Sequence, residues 1–185
     1  MDFLNLNVKY NIKQIGAGDN GCDMSVVCNY QQKVGWKMAG VLHKTDGSVS
    51  VDHTNKQLVM AGIYVFGGMP VGMNLPNDWY QSANGAYWGP TNSRIVGGHE
   101  CYAFGYDEKG VLISTWGGTR RILWPQFQAK TFIDETYVTL SADFYGSDKI
   151  APNGIDAVAL KADLALEEEA IPLLETIKGL LADIA

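Results

Sequence analysis

The chain opens on an alternation of apolar and polar residues, Phe3-Leu4-Asn5-Leu6-Asn7-Val8-Lys9-Tyr10, which has the two-residue period of a strand or extended arm. An arm of this kind cannot bury its apolar side locally, so it calls for a partner. Gly16 to Gly21 reads as a turn, and Cys22 to Lys33 fits a helix with Met24, Val27, Cys28 and Gln31 on one side, ended by Gly35. Val41 to Val51 is expected to be extended, with a turn at Thr45-Asp46-Gly47, and Asn55 to Phe66 to form a second helix. Gly67-Gly68 and Pro70 stop that helix before a strand from Val71 to Leu75.

Residues 76 to 94 form an aromatic loop rich in Asn and Gly, carrying Trp79, Tyr80, Tyr87 and Trp88. Its large rings read either as a lid on the core or as an exposed surface for substrate or partner, because exposed Trp and Tyr are costly unless something covers them. Ile95 to Tyr106 and Val111 to Thr115 are expected to pair as a hairpin across Asp107-Glu108-Lys109-Gly110, with further strands at Arg121 to Trp124 and Tyr137 to Asp143. The resulting class is α+β, a curved antiparallel sheet with flanking helices.

Beyond Gly146 the composition shifts. Ala151-Pro152-Asn153-Gly154 is a breaker, and Ile155, Val158, Ala159 and Ala162 give residues 155 to 166 helical spacing. Pro172 suits the first turn of a last helix with an apolar stripe at Leu173, Leu174, Ile177, Leu180, Leu181 and Ile184. The expected division is therefore a domain over residues 1–150, including the N-terminal arm, and an acidic, amphipathic helical tail over 151–185. No internal repeat or low-complexity tract is present.

Composition narrows the function classes. At 185 residues, 46% apolar and 18% charged, the chain suits one globular domain with a substantial core. No run approaches the 18 or so apolar residues of a membrane span, and Met1-Asp2-Phe3-Leu4-Asn5 has neither the basic nor the apolar region of a signal peptide. The expected location is the cytoplasm or a virion. Three cysteines cannot all pair within the chain, which favours thiols in a reducing compartment. Of the net charge of −6, residues 156–185 carry −5, from seven acids against Lys161 and Lys178. Arg120-Arg121 is the basic pair of note, so no basic face is evident for nucleic acid.

The chemistry concentrates in Val96-Gly97-Gly98-His99-Glu100-Cys101-Tyr102-Ala103-Phe104-Gly105-Tyr106-Asp107, followed by Gly110-Val111-Leu112-Ile113-Ser114-Thr115-Trp116-Gly117. This stretch resembles the histidine half of papain-like cysteine peptidases, in which a strand opening with Gly-His carries the general base and the return strand ends in Asn-Ser-Trp-Gly. The resemblance implies a papain-like half-barrel, His99 as base, Ser114 at the position of the orienting Asn, and Trp116 covering that contact. It runs over about 90 residues, roughly Val49 to Leu140, and the Gly-Gly-His, Gly-Tyr-Asp, Thr-Trp-Gly and Asp134-Glu135-x-Tyr137 elements resemble compact bacterial and phage members.

Papain-type chains place the nucleophile in a Cys-Gly-Ser/Ala-Cys-Trp/Tyr motif about 130 to 150 residues before the His. That motif does not occur among the 98 residues preceding His99. The resemblance implies that the segment from Asp19 to Tyr30 follows the nucleophile. Two candidate thiols bear on catalysis. Cys22, after Asn20-Gly21, is expected near a helix N-terminus, whose partial positive charge favours a thiolate, but Asp23 beside it opposes ionisation. Cys101 shares a strand face with His99 and reads as packing, as does Cys28 within its helix. His43 and His53 lack the clustered ligands a zinc site needs, so no metal or cofactor is expected.

Three functions stay open. A degenerate papain-like domain, non-catalytic, would serve as a structural or binding subunit, as in a phage virion, with protein partners in a homo-oligomer or larger assembly and neither nucleic acid nor membrane. An active thiol hydrolase would use Cys22 and His99, with Ser114 orienting the ring and Gly98, Trp116, Trp79 and Trp88 as its binding surface. A separate chain supplying the cysteine is the third.

Overall fold

The computed structural model describes residues 22–144, 149–151, 153–163 and 165–166. The alternating segment Phe3 to Tyr10 and the apolar stripe from Leu173 to Ile184 lie outside the described residues. Helix α1 (Met24–Lys33) is followed by a hairpin of β1 (Trp36–Met38) and β2 (Val41–His43), then β3 (Thr45–Ser50), α2 (Lys56–Phe66), β4 (Met69–Pro76) and a short α3 (Asn77–Tyr80). The second half holds β5 (Tyr87–Trp88), β6 (Ile95–Tyr106), β7 (Gly110–Thr115), β8 (Gly118–Leu123), a short α4 (Trp124–Phe127), β9 (Ile133–Ser141) and a 3₁₀ turn (Ala142–Phe144).

The helix boundaries follow from capping. The Asp23 carboxylate accepts from the amides of Ser25 and Val26, so α1 starts at Met24 and leaves Cys22 just ahead of the helix rather than inside it. Asn55 does the same for α2, whose C-cap Gly67 sits at φ 75, a left-handed conformation that glycine adopts without penalty.

One sheet in the order β3-β9-β4-β6-β7-β8-β5 forms the centre. Its pairings are antiparallel except β5 with β8, which run parallel, so the sheet is mixed rather than wholly antiparallel. Strand β4 lies between β9 and β6 and is buried along nearly its whole length. Helix α2 lays Val59 and Ile63 against it, and Gly62 brings the helix close: a Cβ there would sit 3.0 Å from Val138 Cγ1. This core holds the strands that carry the functional side chains.

Several expected boundaries move. The turn anticipated at Thr45-Asp46-Gly47 is instead a strand with an irregularity between Thr45 and Gly47, and the chain reverses earlier, at Ala39-Gly40. The aromatic loop contains α3 and β5, and its two tryptophans are buried: Trp79 is 3% exposed and Trp88 fully enclosed, their rings stacked at 5.2 Å. The reading of Trp79 and Trp88 as a substrate or partner surface is thereby corrected. Their N–H groups find internal acceptors, Gly89 O for Trp79 and Ser82 Oγ for Trp88, which is what lets indoles enter a core.

The first part of the tail docks on the body. Asn153 Nδ2 donates to the carbonyls of Tyr64 (2.6 Å) and Val65 (3.1 Å) at the end of α2, Ala157 is buried, and Lys161 pairs with Asp46 at 2.9 Å. Residues 157–163 are helical, started by Asp156, which accepts from the amides of Val158 and Ala159.

Candidate functional site

His99 lies on β6 where that strand pairs with β4, opposite Met73. Its Nε2 is hydrogen-bonded to Thr115 Oγ1 at 2.6 Å. The ring stacks on Trp116 at 4.4 Å and 21°, and Trp116 in turn meets Trp88 and Tyr80 edge-on. Trp116 (φ 47) and Gly117 (φ 68) make the tight turn joining β7 to β8. Positive φ at both central residues matches the right-handed twist of a hairpin, but a bulky residue there is strained. Contact with three aromatic partners offsets that strain and aims the indole at the imidazole.

Ser114 was the expected partner of His99, and the structure moves that contact to Thr115. In the β6–β7 pairing Tyr102 stands opposite Ser114 and Ala103 opposite Ile113. Side chains alternate between sheet faces, so Ile113 and Thr115 share the face of Ala103, Cys101 and His99, while Ser114 points to the other, exposed face. Sequence reasoning missed Thr115, because the irregularity between Ala103 and Gly105 shifts the pairing by one residue and turns Ser114 to the other face. Trp116 does cover the His99 ring, by stacking on it.

The change of partner has a chemical consequence. An amide or carboxylate oxygen only accepts, which fixes the proton on Nε2 and leaves Nδ1 basic; a hydroxyl both donates and accepts, so Thr115 leaves the tautomer open. Burial holds the His99 pKa below its ordinary value. Thr115→Val should therefore leave Nε2 without its partner and let the ring reorient. NMR titration of the His99 ring is expected to show an altered midpoint and broadened ring signals, whereas Ser114→Ala leaves both unchanged.

A cavity of about 340 Å³ opens beside His99, and Cys22, Met24, Met73, Gly98, Glu100 and Glu135 are among its walls. The candidates Cys22, His99 and Gly98 thus meet in one cleft. At Gly98 an added Cβ would meet nothing within 4 Å, so the strand backbone is open to a guest. Met24 N donates to Glu135 Oε1 at 3.0 Å, Ser25 N to Asp23 Oδ1 at 2.8 Å and Val26 N to the same oxygen at 3.3 Å. Carboxylates therefore occupy all three amides of the first turn, next to the exposed Cys22.

The other thiols are core groups. Burial pushes the Cys28 pKa up to about 11, and the enclosed Cys101 is pushed up further by burial and then by Glu100. His43 is paired with Asp143 at 2.7 Å, and buried His53 has its pKa lowered by desolvation. Among the described residues no three His, Cys, Asp or Glu side chains converge as a metal site. Among the described residues no helix is long and apolar enough to cross a membrane.

Acids dominate the cleft. Burial, then repulsion by Glu135, raises the Glu100 pKa; burial likewise raises that of Glu135, countered by its bond from Met24 and reinforced by Asp23 and Asp134. A carboxyl whose pKa is raised by folding binds its proton more tightly in the folded state. Its contribution to stability is thus present at low pH and lost as pH rises from the ordinary carboxyl range through the raised value. Glu100→Gln removes that loss, so its melting temperature should exceed that of the parent at pH 7 and converge with it near pH 4; a decrease at pH 7 would contradict the charge argument.

No family model and no curated protein match the chain. Among solved structures it resembles xylellain, a cysteine protease from Xylella fastidiosa, with a TM-score of 0.60 at 15% identity, covering 72% of this chain and 67% of that one. This is the papain-like cysteine peptidase fold. The Carica candamarcensis cysteine protease CMS1MS2, solved in complex with E-64, aligns with a TM-score of 0.47 at 20% identity over 61% of this chain and 65% of that one. In this papain-like fold β4, the His99 strand, β9 and the start of α1 frame the cleft, and Trp116 stacks on the imidazole.

Proposed function

We propose that this papain-like domain is a binding or structural module whose described thiols are not activated by His99. One observation carries the reading: the amides of Met24, Ser25 and Val26 are already held by the carboxylates of Glu135 and Asp23. A cysteine at a helix start is made nucleophilic by the positive end of the helix, and acyl transfer needs free donors for the oxyanion. Here two acids neutralise that end and consume its donors. The hydroxyl of Thr115 weakens the case for His99 as a base on separate grounds.

The alternative, a thiol hydrolase using Cys22 and His99, draws support from the cleft that both residues line. Peptide substrates with a fluorogenic amide or thioester leaving group separate the two. The proposal expects no release that depends on both side chains, so wild type, Cys22→Ala and His99→Ala all give the same background. Turnover lost in either variant overturns it.

The module reading extends to assembly with protein partners, as in a phage virion. It is supported by the exposed Met38, Val41 and Leu42 of the β1–β2 hairpin, an apolar cluster of the kind that partners cover. Light scattering of the full chain should give a mass above that of one chain; a monomer across micromolar concentrations contradicts this part.

A further inference from the structure

The corner joining β3 to α2 shuts in an imidazole that takes no part in the cleft. His53 is 8% exposed, and its Nε2 is enclosed with no hydrogen-bond partner. Both flanks of this residue are tied down. On one side Val51 N donates to Thr136 O of β9 at 2.9 Å, and Thr136 Oγ1 donates to Val51 O at 2.6 Å. On the other, Gln128 Nε2 donates to Thr54 O at 2.7 Å, while Thr54 N and Oγ1 donate to Asp52 Oδ1 at 2.9 and 2.6 Å. The ring fits this place as a neutral group, because a charge on an enclosed atom without a partner costs far more than one unmade neutral hydrogen bond.

We infer that His53 is a proton-operated latch: neutral, it closes the corner between Val51 and Thr54; protonated, it swings out toward the exposed carboxylates of Asp52 and Asp134, and the corner opens. The groups that face the ring provide for both positions. Desolvation inside the corner disfavours the cation; Asp52 beside it favours the cation, Lys130 between α4 and β9 opposes it, and Asp134 on β9 favours it. Opening reaches beyond the corner, because Val51 holds Thr136, and Asp134, two residues before it on β9, is among the residues lining the His99 cleft. Strand β9 thus loosens where it walls that cleft. The latch is independent of whether Cys22 reacts, and it names a condition, acidity, under which the cleft changes.

The sign follows from linkage. The closed corner holds the His53 pKa below its ordinary value of about 6.5, so over a range of pH the ring is neutral when closed and already charged when open. The closed form keeps its full advantage above that range and loses it as pH falls. One proton is involved, so the open population grows by up to about tenfold for each pH unit until the closed form itself titrates. His99, also lowered by burial, shifts global stability in the same direction, and Glu100 and Glu135, both raised, shift it in the opposite one. A local readout and a His53 variant separate the latch from these groups.

The test is amide hydrogen exchange of the full chain at pH 7, 6 and 5, with labelling times scaled to the intrinsic exchange rate and read on peptides that cover the β3–α2 corner and the first half of β9. Between pH 7 and pH 5 the parent should lose protection in both peptides by about fivefold or more, while peptides from β7 and β8 keep theirs. His53→Phe retains a ring that cannot take a charge, and His53→Gln is smaller and neutral; in each, protection of the corner should stay level over the same range. NMR of the parent provides a readout that needs no variant, since the His53 ring should titrate below the ordinary value, at the pH where protection is lost. Protection of the corner that does not change with pH, a loss of equal size in either variant, or a ring that titrates at or above the ordinary value overturns the inference.

Discussion

Trp88→Ala is expected to destabilise the fold by about 3 to 5 kcal/mol, the range for deleting an enclosed large aromatic ring. Trp88 has no exposure, stacks on Trp79 at 5.2 Å, touches Trp116 edge-on, and donates from Nε1 to Ser82 Oγ at 2.7 Å. Removing it opens a cavity at the junction of α3, β5 and β8 and takes one support from the indole that covers His99. In urea the midpoint should fall with the m-value unchanged, since the folded state stays compact. Trp88→Phe, which keeps most of the volume, should lose clearly less. An alanine variant within about 1 kcal/mol of the parent would mean that this ring is not part of the core.

The second large effect is at Gly110. A Cβ at this position would lie 2.1 Å from the Ile122 carbonyl oxygen and 2.9 Å from Leu123 Cα. Both are backbone atoms of β8, which pairs with β7 at Gly110 opposite Leu123, so no flexible side chain can yield. Gly110→Ala must push the two strands apart at the start of the hairpin that ends in Thr115 and Trp116. The expected cost is about 3 kcal/mol or more, in the upper range for overpacking, together with a perturbed His99 ring signal. Gly97→Ala, where an added Cβ meets nothing within 4 Å, should be near neutral and serves as the control.

Both positions show where the sequence was informative. Gly110 stood out as the end of the Asp107 to Gly110 turn, because Asp and Gly carry turn chemistry that needs no tertiary context; the structure confirms the turn through the bond from Gly110 N to Asp107 Oδ1. His99 and Trp116 were likewise legible, since two glycines before a strand histidine and a Trp-Gly at a strand end are local patterns. Trp88 was not. Its strand is two residues long and pairs in parallel with β8 through a contact about 34 residues away in the chain, and a two-residue strand leaves no periodicity to read.

The transfer from Ser114 to Thr115 has a different origin. Aligning on Trp116 puts Ser114 at the orienting position, but which face a strand residue occupies is set by register, and the β6–β7 ladder shifts between Ala103 and Gly105. A one-residue difference sends a side chain to the opposite face. The acidic first turn of α1 was half legible: Asp23 was read as opposing a thiolate, whereas Glu135 reaches Met24 from 111 residues away, and only the folded sheet brings it there.

The central claim is that Cys22 lines the His99 cleft without being activated by it, and the pH dependence of Cys22 alkylation tests it most directly. Iodoacetamide rates at Cys22, read by peptide mass spectrometry from pH 5 to 10, should rise through the ordinary thiol range near pH ~8.5 or above it, along the same curve in wild type and His99→Ala. A rate that is already at its plateau by pH 6 and collapses in His99→Ala would show a thiolate paired with the imidazole, and the domain would then be a peptidase.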